Sequence, residues 1–124
     1  ITMKSFLFVF LGGGLGSALR YLVASAMNQY SKVLPYGTFT VNILGCLLIG
    51  MILGYAQKEN TLTSNQTLLL ATGFCGGFTT FSAFANENLE LIKNGEIFNF
   101  SVYTIGSILV GVLAVFIGFY LTNR

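Results

Sequence analysis

The chain has 124 residues, of which 54% are hydrophobic and only 8% are Asp, Glu, Lys or Arg, about a third of the charged share of a soluble domain. Six basic and four acidic side chains cannot cover a soluble globule of this size, so lipid is the solvent for most of its surface. The net charge of +2 carries no basic cluster suited to nucleic acid, and Cys46 and Cys75 lack the Cys-x-x-Cys spacing of a thiolate metal site or a disulfide framework.

A membrane-crossing helix needs about 20 apolar residues, and four stretches supply them. The first covers residues 5–27. Lys4 ahead of an apolar core and Ala24-Ser25-Ala26 behind it resemble a signal peptide. Gly12, Gly13, Gly14 and Gly16 interrupt that core, and Arg20 separates it from the cleavage-like site, so a retained span is expected. The glycines lack the Gly-Lys-Ser/Thr ending of a phosphate-binding loop and have no strand before them, which excludes that reading. Arg20 lies near the end of its span, where it serves either as an interfacial anchor or as a charge that concentrates anions at a pore mouth.

The second span covers residues 36–56, with Pro35, the only proline, just ahead of it at a tolerated position. Asn42 brings two N–H donors and an acceptor into this span. An interhelical hydrogen bond, worth about 0.6 kcal/mol in a membrane, is one use for it.

The third span covers residues 67–92 and contains Gly76-Gly77 near its middle. Each glycine weakens a helix by about 1 kcal/mol, so a break is expected there. The backbone groups it frees are tolerated only inside protein or along a cavity, and such breaks bind ions in transport proteins. Phe74, Phe78, Phe81 and Phe84 share one face of an unbroken helix, an ordinary packing stripe. A break rotates the second half and would turn the rings of Phe81 and Phe84 inward, presenting positive edges that suit an anion. Glu87 and Glu90, near the end of the span, read as exposed or interfacial.

The fourth span covers residues 97–121, where Tyr103 and Ser107 are four apart on one face. Their hydroxyls either line a polar track or bond to neighbouring backbone. Gly-x-x-x-Gly spacings at Gly12–Gly16, Gly50–Gly54 and Gly73–Gly77 predict close helix packing. Lys4, Lys58 and Arg124 fall on one side of the membrane, and Lys32, Lys93 and the Arg20 end of span one on the other. The positive-inside rule gives no orientation from such a tie: either another factor decides it, or, the favoured reading for so short a chain, it inserts in both directions and pairs with itself antiparallel. Four helices are also too few to enclose a pore comfortably, which again favours a dimer. The membrane segments hold no nucleophile–base pair, His/Cys metal set or paired carboxylates, so an enzyme is not expected.

Three motifs occur in order on these spans: Gly12-Gly13-Gly14-Leu15-Gly16 with Arg20-Tyr21, Gly37-Thr38 with Val41-Asn42, and Gly76-Gly77-Phe78-Thr79-Thr80-Phe81-Ser82. Together they resemble the Fluc (CrcB) family of fluoride channels over essentially the whole chain. The resemblance implies an all-α integral membrane protein, with its third helix broken near the middle, acting as a dual-topology antiparallel homodimer. It implies residence in the lipid of the cell inner (plasma) membrane and passive, selective fluoride conduction through two pores per dimer, lowering cytoplasmic fluoride.

By the same resemblance, Phe81 and Phe84 line the fluoride path and Asn42 is a pore-lining donor. Thr80 and Ser82 lie on that path, Tyr103 and Ser107 belong to its polar track, and Arg20 stands at its vestibule. The backbone carbonyls of Gly76 and Thr79, from both subunits, hold a structural Na⁺ at the dimer centre. Ala83 and Gly111 stand where further hydroxyls would extend the track. Selectivity over chloride is expected from closely spaced donors that a larger, less basic anion engages poorly. The alternative, a small drug/proton antiporter, would be expected to carry an acid in the first span, which here has Arg20 instead.

Overall fold

The computed structural model describes residues 1–29, 33–58 and 61–124. In chain order its helices are α1 (Met3–Asn28), α2 (Tyr36–Gln57), α3 (residues 64–78), α4 (Ser82–Lys93) and α5 (Ile97–Asn123). Helix α3 is composite: an α-turn at Ser64–Thr67, a π-helical run at Leu68–Cys75, and a last α-turn at Gly76–Phe78. With α4 it makes one crossing, so four segments are long and apolar enough to span a membrane, with hydropathies from 1.5 to 2.3. No strand occurs among the described residues. Each span ends within three residues of its expected limit.

Local chemistry explains where the helices start and stop. Thr2 and Ser5 form a reciprocal capping box ahead of α1, and Thr63 and Gln66 form another ahead of α3. Pro35 takes the N-cap of α2 and offers no side-chain cap. The missing acceptor comes from α1, where Asn28 Oδ1 receives the Gly37 amide at 3.0 Å. Between α4 and α5 the chain reverses at Gly95, whose φ of 74° is open to glycine at little cost. Bonds from Gly95 N to Ile92 O and from Glu96 N to Leu91 O complete a Schellman turn.

Two seams hold the bundle together, and both are built from backbone. On the α1–α3 seam, a methyl group on Gly12 would overlap the Leu69 carbonyl and come within 2.8 Å of the Phe74 amide, and one on Gly16 would do the same to the Phe74 carbonyl and the Phe78 amide. Gly77 lies equally close to the backbone of Gly13. On the α2–α5 seam, Gly50 meets the Val115 carbonyl and Gly118 meets the Leu47 carbonyl. Contact at this distance needs glycine on each side, as small-residue packing in membranes requires.

The seam corrects one sequence expectation. Gly76 and Gly77 stay helical, and the interruption falls at residues 79–81. Gly77 serves the approach of α1, and that packing outweighs its low helix propensity. The helix ends where Thr79 turns extended, at φ −86° and ψ 161°.

The far ends of α2 and α5 are tied by polar bonds. Thr122 Oγ1 donates to the Met51 carbonyl at 2.8 Å, Asn123 Nδ2 to Gly54 at 3.0 Å, and Lys58 Nζ to Arg124 at 2.8 Å. One face of α5 is apolar and open, with Ile105, Leu109, Val112 and Phe116 all more than half exposed. Lipid solvates such a face without cost. Of the charges in the orientation tie, Lys32 lies outside the described residues.

Candidate functional site: a neutral cleft at the broken third span

The interruption at 79–81 leaves backbone groups without helical partners, and Asn42 of α2 supplies them. Its Nδ2 donates to the Thr80 carbonyl at 3.0 Å, and its Oδ1 accepts from the Thr80 amide at 2.7 Å. The Thr80 amide would otherwise bond the Gly76 carbonyl, four residues back. The Thr80 hydroxyl accepts from the Ala83 amide at 3.2 Å and lies 3.4 Å from the Ser82 hydroxyl, so it helps α4 to begin.

Beside this break lies a cleft of about 280 Å³ that gathers Asn42, Thr80, Phe81 and Phe84 against Ser107 of α5. No Asp, Glu, Lys or Arg lines it. The Phe81 and Phe84 rings are 5.8 Å apart and inclined at 48°, and Phe81 is 78% exposed. Ser107 Oγ is buried and has no hydrogen-bond partner among the described residues. A buried hydroxyl of this kind costs roughly 1–3 kcal/mol, which a ligand that accepts its proton would relieve. Gly111 forms part of the same wall.

Tyr103 joins this group through its ring, 5.0 Å from that of Phe84. Its hydroxyl points elsewhere, donating to Glu87 Oε1 at 2.8 Å, while Thr38 Oγ1 donates to Glu87 Oε2 at 2.5 Å. A carboxylate of α4 is thereby held by hydroxyls from α2 and α5. Bonds of this charge-assisted type contribute about 1.5–3 kcal/mol each. One turn along, Thr104 Oγ1 donates to the buried Asn88 Oδ1 at 3.2 Å.

A second cavity, of about 240 Å³, shares Asn42 and Thr79 with the cleft and is lined also by Gly76. Among the described residues, no hydrogen bond reaches the carbonyl of either. The neighbouring Gly77 carbonyl is engaged from α1, accepting from Arg20 Nε at 2.9 Å and from Ser17 Oγ at 3.4 Å. Arg20 therefore meets the electronegative C-terminal end of α3, away from the lining of the neutral cleft.

The structure thus brings Asn42, Thr80, Phe81, Phe84 and Ser107 together, places Ser82 at their edge, puts Thr79 between this cleft and the second cavity, and sets Gly76 on the second cavity alone. Glu87 was not legible as a site residue, because its place near the end of an apolar run suggested an interface. The signal lay in its spacing: three residues after Phe84 is the same helix face. Thr38 stood within a motif without a stated role.

The family described as CrcB-like protein, Camphor Resistance (CrcB), matches residues 7–119. The fluoride-specific ion channel FluC of Flavobacterium psychrophilum is 44% identical over 98% of this chain and 99% of that protein. The protein of the same name from Phocaeicola vulgatus is 47% identical over 98% of this chain and 100% of its own length. That from Gloeothece citriformis is 48% identical over 98% and 99%. With the broken span, the paired phenylalanines and the near-complete coverage in hand, the chain belongs to the CrcB-like family.

Proposed function

We propose that this protein is a fluoride-selective channel that conducts F⁻ passively across the cell inner (plasma) membrane and lowers cytoplasmic fluoride. The observation that carries the reading is the neutral cleft, lined by two phenylalanines and by Ser107, whose buried hydroxyl has no hydrogen-bond partner among the described residues. The curated relatives are named fluoride channels, not antiporters. Fluoride must be bound well enough to leave water and weakly enough to exit. Hydroxyl, amide and ring-edge donors replace its hydration without the deep trap of a fixed positive charge. Asn42 uses one N–H on Thr80 and keeps a second for the path. Chloride, being larger and less basic, draws less from the same closely set donors.

The working unit is an antiparallel homodimer of dual topology with two pores. The near tie of loop charges supports it, as does the exposure of Phe81, which a second copy would cover. The carbonyls of Gly76 and Thr79 suit a structural Na⁺, since they are hard oxygen ligands at a helix C-terminus without competing donors. Matching carbonyls from the second copy would complete the set, and the ion would balance negative dipole ends there.

The test is fluoride efflux from liposomes holding purified protein, followed with an ion-selective electrode. Efflux well above that of protein-free liposomes is expected, with little chloride efflux under the same gradient. Fluoride release no faster than the protein-free control would end the channel reading.

A further inference from the structure

The spacing of Cys46 and Cys75 in the sequence argues against a thiolate metal site, yet the fold sets both in the wall of the same cavity, one from α2 and one from α3. Both are free thiols, and among the described residues no hydrogen bond to either sulfur occurs. Cys75 is 2% exposed to the outside and still borders this space of about 240 Å³. We propose that Cys46 and Cys75 together form a site for a soft d¹⁰ metal ion of the Hg²⁺, Ag⁺ or Cu⁺ class, and that an ion held there closes the adjacent cleft.

Ligand number and softness select that class. No group of three or more His, Cys, Asp or Glu side chains stands ready for a metal among the described residues. That excludes a tetrahedral structural zinc, which takes four such ligands. Two sulfurs are enough for an ion that favours linear coordination, and soft ions prefer thiolate to carbonyl oxygen. The carbonyls of Gly76 and Thr79 in the same cavity suit hard cations, so the two donor sets do not compete for the same ion. As each sulfur–metal bond forms, its thiol releases one proton to water, and no oxidant or reductant is needed.

The effect on the cleft follows from a shared wall. Asn42, Cys46 and Thr79 border both the cavity and the neutral cleft. On the cleft side, Cys46 Sγ stands 3.5 Å from where a Cβ on Gly111 would lie, so it packs against the far wall. Drawing Cys46 toward Cys75 moves a side chain that shapes the path.

The experiment has a binding arm and a flux arm. Purified protein is treated with HgCl₂, dialysed against 2-mercaptoethanol, denatured and weighed by mass spectrometry. The expected product is a single chain carrying one mercury, with no thiol left to react with a thiol reagent. Cys46→Ser, Cys75→Ser and the milder Cys75→Ala should each lose the metal during dialysis. Two independent mercury ions per chain, mercury bridging two chains, or loss from wild type as complete as from the variants would each overturn the site. The flux arm rests on the proposed channel function: HgCl₂ should stop fluoride efflux, a dithiol should restore it, and Cys75→Ala, which lies outside the cleft lining, should be insensitive. Retained mercury with undiminished efflux would overturn the coupling. Absence of efflux before any mercury is added would instead count against the channel reading and leave the binding result standing.

Discussion

Asn42 and Thr80 bond to each other twice across the gap in the third span, with the side-chain amide standing in for the missing turn of helix. The pairing satisfies one backbone donor and one acceptor in a region where water is scarce. Leaving such a group unpaired costs about 1–3 kcal/mol.

Asn42→Ala should therefore lose stability on the order of 2 kcal/mol or more, seen as a lower melting temperature in detergent, and should lose fluoride efflux. Asn42→Gln, which keeps the donor and acceptor on a longer stem, should recover part of the stability. A wild-type melting temperature in Asn42→Ala would show that the pairing is dispensable.

The α1–α3 seam predicts a contrast among glycines of one motif. Gly16→Ala forces a methyl group into the Phe74 carbonyl, whereas Gly14 has nothing within 4 Å. Overpacking of this kind costs about 1–3 kcal/mol. Gly16→Ala should express poorly or melt early, and Gly14→Ala should keep its fold within one chain. Equal melting temperatures for the two would contradict the seam.

The hydroxyls of Thr38 and Tyr103 share one carboxylate, so their loss should not add. Thr38→Val and Tyr103→Phe should each destabilise by about 1.5–3 kcal/mol, with a coupling of at least about 0.5 kcal/mol between them. A double-mutant cycle on reversible unfolding in detergent measures that coupling. Strict additivity would mean that Glu87 does not join the two.

For the phenylalanines, the readout is flux against assembly. Phe81→Ile and Phe84→Ile should suppress fluoride efflux while the elution position on gel filtration stays unchanged. Phe81 is mostly exposed within one chain, so its replacement should cost little folding stability. Wild-type efflux in both variants would reduce the rings to packing.

Much of this architecture was legible because lipid imposes a simple rule of length and apolarity, and the spans follow it to within three residues. The break was legible in kind and misplaced in position. Gly76-Gly77 announces weak helix propensity, but a sequence does not say that Gly13 lies opposite Gly77. Periodicity puts Tyr103 and Ser107 on one helix face, without revealing that Glu87 captures the tyrosine hydroxyl. Which partner takes a hydroxyl depends on a third helix, and no pattern within one span records it. That Cys46 and Cys75 line one cavity was hidden for the same reason, since it arises only from the packing of α2 on α3.

The two glycine seams join α1 to α3 and α2 to α5, and neither pair is adjacent along the chain. During synthesis α1 enters the bilayer before the groove that receives it exists, and it must persist there alone until α3 follows. Its glycines, which suit the finished bundle, make that solitary helix weaker while it waits. The seams are therefore products of lateral assembly after insertion, and the birth order of the helices sets the stage at which this protein is most exposed to quality control.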